Sequence, residues 1–396
     1  MNDSVPGDSH APLSRTEPPR IGPLRIGPWT RAVVKVGSAL VAPDGQGPSA
    51  RYLGGIAQFV VESQRRGREI VVVSSGAVAA GRATQPRTAA RPRSIAEKQA
   101  LAALGQPLLM AHWSGLIDRP CAQVLLTHDD LQHRQRFLNA RTTLAGLLAL
   151  GALPIVNEND TVAVEELKVG DNDNLAAHVA ALVGADLLVI CTDIDGLYDA
   201  DPRANPGARL VPVVERIDAR IRAMAGGAND ASATGGMRTK VEAAEKATAR
   251  GIDTVVVSGT RPEALAALHE GVVDGTLFRR SATPLDARRH WMRHSLAPSG
   301  RIVVDAGAAA AIAERGASLL PSGIVGVEGR FERGDAVEIV VEGPDGSGDV
   351  VARGLSQYGA HELARIRGHR SGAIASVLGY AHTAFVVHRD DLVLAG

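Results

Sequence analysis

Aromatic side chains are scarce in this chain: Phe, Tyr and Trp make up 3% of its 396 residues. With 45% hydrophobic residues, any core is therefore filled by Ala, Val, Leu and Ile, as suits a parallel sheet covered by helices. Few rings are left on which nucleic-acid bases could stack. Net charge is missing too, because 43 basic residues cancel 43 acidic ones, and with it any global electrostatic footprint for nucleic acid. Only two cysteines occur, Cys121 and Cys191, both in apolar runs. They are expected to be buried free thiols in a reducing compartment rather than a disulfide framework. No uncharged apolar run is long enough to span a membrane; the nearest, Thr142–Val156, contains Gly and Pro and ends in a polar loop. The missing signatures narrow the chemistry. Without G-x-x-x-x-G-K-[ST] there is no P-loop. The 12 histidines form no H-E-x-x-H and no Cys/His cluster, so structural zinc is not indicated. No G-x-S-x-G elbow is present.

What is present is an alternation of apolar runs and helical spacings. Residues 1–28, rich in Pro, Gly, Ser and Arg and without a continuous apolar stretch, are expected to be a disordered tail with no cleaved signal peptide. Strands are expected at Arg31–Val36, Glu69–Ser74, Cys121–Leu126, Asp186–Thr192 and Gly251–Ser258, with helices between them, such as Leu53–Gly67, Ser94–Leu109 and Asn174–Val183. That pattern predicts an α/β domain over 29–278, a mostly parallel sheet between helix layers. Residues 279–298 are basic and Pro-containing and read as a linker. From 299 to 390 short strands and turns predict a small β-rich domain, with strands at Ile302–Asp305, Ser322–Val327, Ala336–Val341 and Phe385–His388.

The apolar run Leu144–Val156 opens into Asn157–Asn174, crowded with amides and carboxylates. A buried strand emptying into an Asn/Asp cluster marks a ligand loop at the C-terminal end of a sheet. Its N-E-N-D and D-N-D-N segments alternate amide and carboxylate, which suits a ligand carrying both an ammonium and a carboxylate. Two lysines sit beside glycine turns far apart in the chain: Lys35 before Gly37-Ser38, and Lys240 after Thr234-Gly235-Gly236-Met237-Arg238-Thr239. Ser75-Gly76, between a strand and a helix, is a third anion-friendly turn. Lys35 also admits the reading of an edge-strand lysine that blunts pairing, and Ser75-Gly76 that of close helix packing. Taken together, two lysines, amide cradles and a zwitterion loop describe phosphoryl transfer to a small acid by positioning and charge neutralisation. No general base stands out, as expected if the acceptor is a carboxylate. A side-chain carboxylic acid with a pKa of about 4.3 has no proton left to lose at neutral pH.

The ordered motifs K-V-G-S (35–38), S-S-G-A-V-A-A-G (74–81), K-Q-A-L-A-A-L-G-Q (98–106), R-F-L-N-A-R (136–141), N-E-N-D (157–160), K-V-G-D-N-D-N (168–174), T-D-I-D-G-L-Y (192–198), D-P-R (201–203) and T-G-G-M-R-T-K (234–240) carry a resemblance. With G-T-L-F at 275–278 and V-H-R-D-D at 387–391, the chain from about Ala32 onward resembles the glutamate 5-kinase family of the amino acid kinase superfamily, in its long form with a C-terminal PUA domain. The resemblance implies an amino acid kinase fold followed by a PUA domain. It implies that ATP phosphorylates the γ-carboxylate of L-glutamate in the first step of proline synthesis, with Mg²⁺ riding on the phosphates. Carried over by motif, Lys35 and Lys240 contact the phosphates and Asp173 orients them, with Asp171 a neighbour. Ser75, Asp160 and Asn172 fall on glutamate positions. Thr192, Asp193 and Thr234, Gly235, Gly236, Met237, Arg238, Thr239 and Lys240 fall on nucleotide positions.

Ser74 departs from the family in standing where Thr is frequent, a change that keeps a hydroxyl. The resemblance further implies a cytoplasmic homo-oligomer (dimer or tetramer), feedback inhibition by proline, and rapid passage of the acyl phosphate to γ-glutamyl phosphate reductase, a possible transient contact. PUA domains occur in RNA-modifying enzymes, so RNA is weighed for Arg365, Arg367 and Arg370, with a packing or regulatory role preferred. Two other readings compete: a regulatory or RNA-binding protein that retains the kinase fold, and a kinase for aspartate, N-acetylglutamate or carbamate. The intact lysines and aspartates argue against the first; the PUA-like tail and the Asn/Asp loop argue against the second.

Overall fold

The computed structural model describes residues 23–85, 94–163, 172–226, 236–281, 298–342 and 348–395. One eight-stranded sheet organises the amino-terminal part. Its strands are β1 (Arg31–Val36), β2 (Glu69–Ser74), β3 (Cys121–Leu126), β4 (Leu153–Glu158), β5 (Leu187–Thr192), β6 (Val213–Val214), β7 (Asp253–Ser258) and β8 (Gly275–Phe278). They lie in the order β3-β4-β2-β1-β5-β7-β8-β6. From β3 to β7 all pairings are parallel; β8 runs antiparallel to β7, and β6 parallel to β8. The helices are α1 (Ser38–Val41), α2 (Ala50–Arg65), α3 (Ala77–Ala83), α4 (Ile95–Leu116), α5 (His128–Gln132), α6 (Arg134–Ala149), α7 (Asn172–Val183), α8 (Ala219–Met224), α9 (Met237–Thr248) and α10 (Pro262–Ala267).

Strands β5 and β7 are buried at every position, and β1 and β2 at all but the first. Runs of Val, Ile and Leu without polar alternation form such strands because helices cover both faces. The period of two in a strand divides the side chains between two cores. Ala32, Val34 and Val36 of β1 pack with α2, α4 and α10. Val33 packs on the opposite face with α7 and α9. Lys35 shares the parity of Val33, and so its ammonium emerges on the α7/α9 side. Strand β1 pairs with β2 on one side and β5 on the other, which removes the edge-strand reading of Lys35. The C-terminal ends of β1, β2, β4 and β5 then lie along one edge of the sheet, bringing Gly37, Ser75, Asn157 and Asp193 to the same rim.

Residues 298–395 form a second, five-stranded sheet in the order β10-β9-β11-β12-β13. These strands are β9 (Gly300–Val304), β10 (Ile324–Gly329), β11 (Ala336–Glu342), β12 (Gly348–Leu355) and β13 (Leu392–Leu394). Their core gathers Ile302, Ile339, Tyr358, Leu363 and Val387. The two parts meet at α6. Arg141 donates from both guanidinium ends to Asp391, at 2.8 and 2.5 Å. Arg333 donates to Asn139 at 2.7 Å.

The structure differs from the sequence expectations in several places. Order begins before Trp29: Ile26 is buried and donates to Gly271 O, and Arg25 bridges Val272, because this short segment seals the base of the sheet. The run Leu144–Val156 is two elements, the end of α6 and strand β4, divided at Gly151 with φ 72°. Helix α7 begins at Asn172, so Asn172 and Asp173 belong to its first turn and not to a loop. Phe385–His388 is no regular strand: Val387 makes a lone bridge to Leu319, while Val386 and Val387 are buried for packing. Strands β12 and β13 were not expected, and β13 carries the sheet beyond residue 390. Cys191 is buried, but Cys121 is only half-buried, at the start of edge strand β3. Asp171, Thr234, Gly235 and nearly all of the expected linker lie outside the described residues. Among the described residues, no helix is long and apolar enough to cross a membrane.

Candidate active site

Lys35 from β1, Asp173 from α7 and Lys240 from α9 converge although they are distant in the chain. Lys35 Nζ lies 2.5 Å from Asp173 Oδ1 and Lys240 Nζ 3.0 Å from Asp173 Oδ2. Thr239 Oγ1 donates to the same Oδ2 at 2.8 Å. The side chains of Lys35, Lys240 and Asp173 are 4%, 6% and 0% exposed. Burial alone would raise the Asp173 carboxyl. The two ammonium groups and their hydrogen bonds outweigh it and hold the group below the usual carboxylate range. Two ammoniums on one carboxylate leave a net positive charge in a dry pocket, which suits phosphate oxygens and repels a bare metal cation. Cys191, on β5 beside β1, is pushed up to about 12 by burial and is no nucleophile.

A second group of polar side chains adjoins the first, because Asn172 precedes Asp173 on α7. Asn172 Nδ2 donates to Ser75 Oγ at 2.8 Å and to Asn157 Oδ1 at 2.9 Å. Asn157 Nδ2 donates in turn to Gln106 Oε1 at 2.9 Å. Ser75 is set by the turn after β2. Gly76 has φ 106°, and a Cβ there would lie 2.5 Å from Val41 Cγ1, so only glycine fits. Trp113 Nε1 donates to Ser74 Oγ at 3.0 Å, pinning the strand end from α4. Helices α3 and α4 cross in backbone contact. A Cβ on Gly81 would meet Leu101 O at 1.9 Å, and one on Gly105 would meet Ala77 O at 1.8 Å. The small residues of both motifs thus pack helix on helix and seat Gln106 beside the site. A cavity of about 190 Å³ opens here, lined by Ala77, Gln106, Gln123, Glu158, Asp160 and Thr161 among others.

The structure thus brings Ser75 and Asn172 into contact and places Asp160 on the wall of the cavity that Gln106 also lines. Thr192 and Asp193 lie at the end of β5, hydrogen-bonded to each other at 3.1 Å, with Arg203 reaching Asp193 at 3.7 Å. Of the expected nucleotide segment, Gly236 precedes α9, Met237 packs into the α7/α9 core, and Arg238 pairs with Glu242 at 3.4 Å. The Thr239 hydroxyl turns to Asp173, not outward, so it braces the lysine clamp. Asn157 and Gln106 were not singled out from sequence. The available signals were an Asn closing an apolar strand and a Gln next to a glycine in an apolar helix. Among the described residues, no group of three or more His, Cys, Asp or Glu is arranged to hold a metal.

An eight-stranded α/β sheet with a buried Lys-Asp-Lys clamp at its rim, joined through Asn172 to a row of buried amides, has a match among known families. The chain belongs to the amino acid kinase family, whose model matches residues 30–258; a PUA domain model matches residues 300–378. Within that family it falls in the glutamate 5-kinase group. It is 63% identical over 367 residues to the glutamate 5-kinase of Salinibacter ruber, covering 92% of this chain and 97% of that protein. The Idiomarina loihiensis glutamate 5-kinase is 52% identical over 366 residues (92% and 98%), and that of Xanthomonas campestris pv. campestris 55% over 362 (91% and 100%).

Proposed function

We propose that this chain transfers the γ-phosphoryl group of ATP to the γ-carboxylate of L-glutamate, forming L-glutamyl 5-phosphate for proline synthesis. The observation that carries the reading is the clamp of Lys35 and Lys240 on Asp173, sharing the first turn of α7 with the amide of Asn172. The ammoniums meet the negative charge that spreads over the transferring phosphoryl oxygens, and Asp173 keeps them pre-aimed. Thr192 and Asp193 hold the nucleotide with the segment leading into α9, and Mg²⁺ is carried on the triphosphate. Ser75, Asp160 and Asn172 hold the glutamate with its side chain toward the lysines. The enzyme works as a cytoplasmic homo-oligomer inhibited by proline at or overlapping the glutamate site.

The purified protein with ATP, Mg²⁺ and hydroxylamine is expected to form γ-glutamyl hydroxamate from glutamate, and less when proline is added. A preference for aspartate or N-acetylglutamate would overturn the substrate; indifference to proline would overturn the feedback.

A further inference from the structure

Three amides form a hydrogen-bonded row that starts at the cavity wall with Gln106, each more than nine-tenths buried: Gln106 at 7%, Asn157 at 3% and Asn172 at 8% exposure. A side-chain amide can be turned end for end with little change in shape, so its polarity must be set by what it meets. At Asn157 one contact is unambiguous. The backbone N–H of Glu158 donates to Asn157 at 2.9 Å, and a backbone N–H can only donate. The atom facing it is therefore Oδ1. Asn157 Nδ2 must then face Gln106, which answers with Oε1. Asn172, facing Asn157 Oδ1 at 2.9 Å and the Ser74 carbonyl at 3.3 Å, must present Nδ2. That leaves Asn172 Oδ1 turned the other way, buried and with no hydrogen-bond partner among the described residues. A buried acceptor in that condition needs a donor.

At neutral pH glutamate has two carboxylates, which only accept, and one ammonium, which donates. Resting on the proposed glutamate reaction, we propose that Asn157 is a positioning residue: with the more distant Ser74 carbonyl it fixes the polarity of Asn172 so that Asn172 Oδ1 receives the substrate's α-ammonium, and so sets the requirement for an amino acid over a plain dicarboxylic acid. Asn157 itself touches no reacting atom. Its influence passes through one side-chain amide, from the end of β4 to the first turn of α7. A site built to meet a donor rejects an analogue that lacks it, because its own acceptor is then left unpaired.

The test compares glutamate with glutarate, which has both carboxylates and no ammonium, as the ratio of their kcat/KM values. Asn157→Leu removes the nearer of the two carbonyls that hold Asn172 Nδ2, leaving the longer contact to Ser74 O at 3.3 Å as the weaker hold on the amide. The ratio is expected to fall at least tenfold, through a higher KM for glutamate with kcat and the KM for ATP little changed. Asn157→Ala is measured alongside, because its smaller side chain leaves room for water at Glu158 N–H and Gln106 Oε1 and keeps the variant folded. Asn157→Asp retains an oxygen for both Glu158 N–H and Asn172 Nδ2, and is expected to hold the ratio within about threefold of the parent, the rescue expected of a polarity lock. An equal loss on both acids, or an unchanged ratio in the Leu or Ala variant, overturns the assignment of Asn157. A parent protein inactive on glutamate overturns the glutamate reaction itself, a different result from an active parent whose variants keep the ratio.

Discussion

Asp173→Asn and Lys240→Met remove one charge each from the same clamp, and the structure predicts opposite balances of damage. In the parent protein one carboxylate faces two ammoniums, all nearly out of contact with water. At N–O distances of 2.5 and 3.0 Å the gross attraction of each pair is on the order of 5 kcal/mol for an effective dielectric near 20, and most of it offsets the cost of burying the charges. Asp173→Asn leaves two ammoniums facing each other across a neutral amide. Breaking a buried pair in this way costs about 3–5 kcal/mol, a large part of a total stability of roughly 5–15 kcal/mol. Lys240→Met instead leaves Lys35 and Asp173 as a balanced pair, still braced by the Thr239 hydroxyl. Its cost in stability should stay within about 1 kcal/mol.

Activity should not follow that order. Losing one ammonium at the transferring phosphoryl group should lower kcat by roughly 10²–10³-fold, with little change in glutamate binding. Lys240→Met is thus expected to be folded and nearly inactive, and Asp173→Asn both destabilised and inactive. Urea unfolding gives the first quantity and hydroxamate formation under saturating substrates the second. If Lys240→Met costs as much stability as Asp173→Asn, the clamp is not held by charge balance. If it retains kcat within about tenfold, Lys240 does not serve the transferring group.

Two further outcomes are expected. His178 on α7 is lowered from 6.5 to about 4 by burial, helped by Arg250, Lys246 and His128, so it stays neutral in the folded protein while the unfolded chain takes up a proton. Stability should be complete above pH 6.5, fall by about 3 kcal/mol as pH drops from 6.5 to 4, and level off below; His178→Gln should lose that slope in urea midpoints measured from pH 7 to 4.5, and a variant with the parent's slope refutes it. Arg141→Met should leave the buried Asp391 carboxylate without its guanidinium, costing about 3 kcal/mol, and native-state hydrogen exchange at Leu392–Leu394 should speed up about a hundredfold; unchanged protection there would show that the pair does not secure the C-terminal sheet to α6.

The strands Glu69–Ser74, Leu187–Thr192 and Asp253–Ser258 were legible because burial on both faces demands an unbroken apolar run, and few other structures do. Their order was not, since pairing β1 between β2 and β5 joins segments more than a hundred residues apart. In the C-terminal sheet the signal fails for a related reason. Strand β12 reads G-D-V-V-A-R-G-L, with Gly348 and Asp349 exposed and Arg353 and Gly354 breaking its apolar run, and β13 is three residues long. Both are strands because a neighbour supplies the ladder, not because their own pattern insists on it. The lysines were legible as a pair of glycine-flanked cations, and the ordered motifs tied Asp173 to them. Nothing in the sequence showed that Thr239 faces inward, or that Gln106 of α4 reaches Asn157 at the end of β4. The second of these contacts depends on Gly81 and Gly105 letting α3 and α4 touch backbone to backbone.

The clamp also bears on which acceptor the site can serve. An alcohol or amine acceptor must lose a proton, and the nearest carboxylate to the two ammoniums is Asp173. Both of its oxygens are engaged, by Lys35, Lys240 and Thr239, and its affinity for a proton is held below that of an ordinary carboxylate. Such a group is a poor base, for the same reason that it is a good anchor. A carboxylate acceptor makes no demand on it, arriving ionised and needing only to be brought within reach of the phosphorus. The missing base in the sequence and the saturated aspartate in the structure therefore have one cause: the charge buried at this rim is committed to holding two lysines still, and the chemistry left to it is transfer to a group that is already an anion.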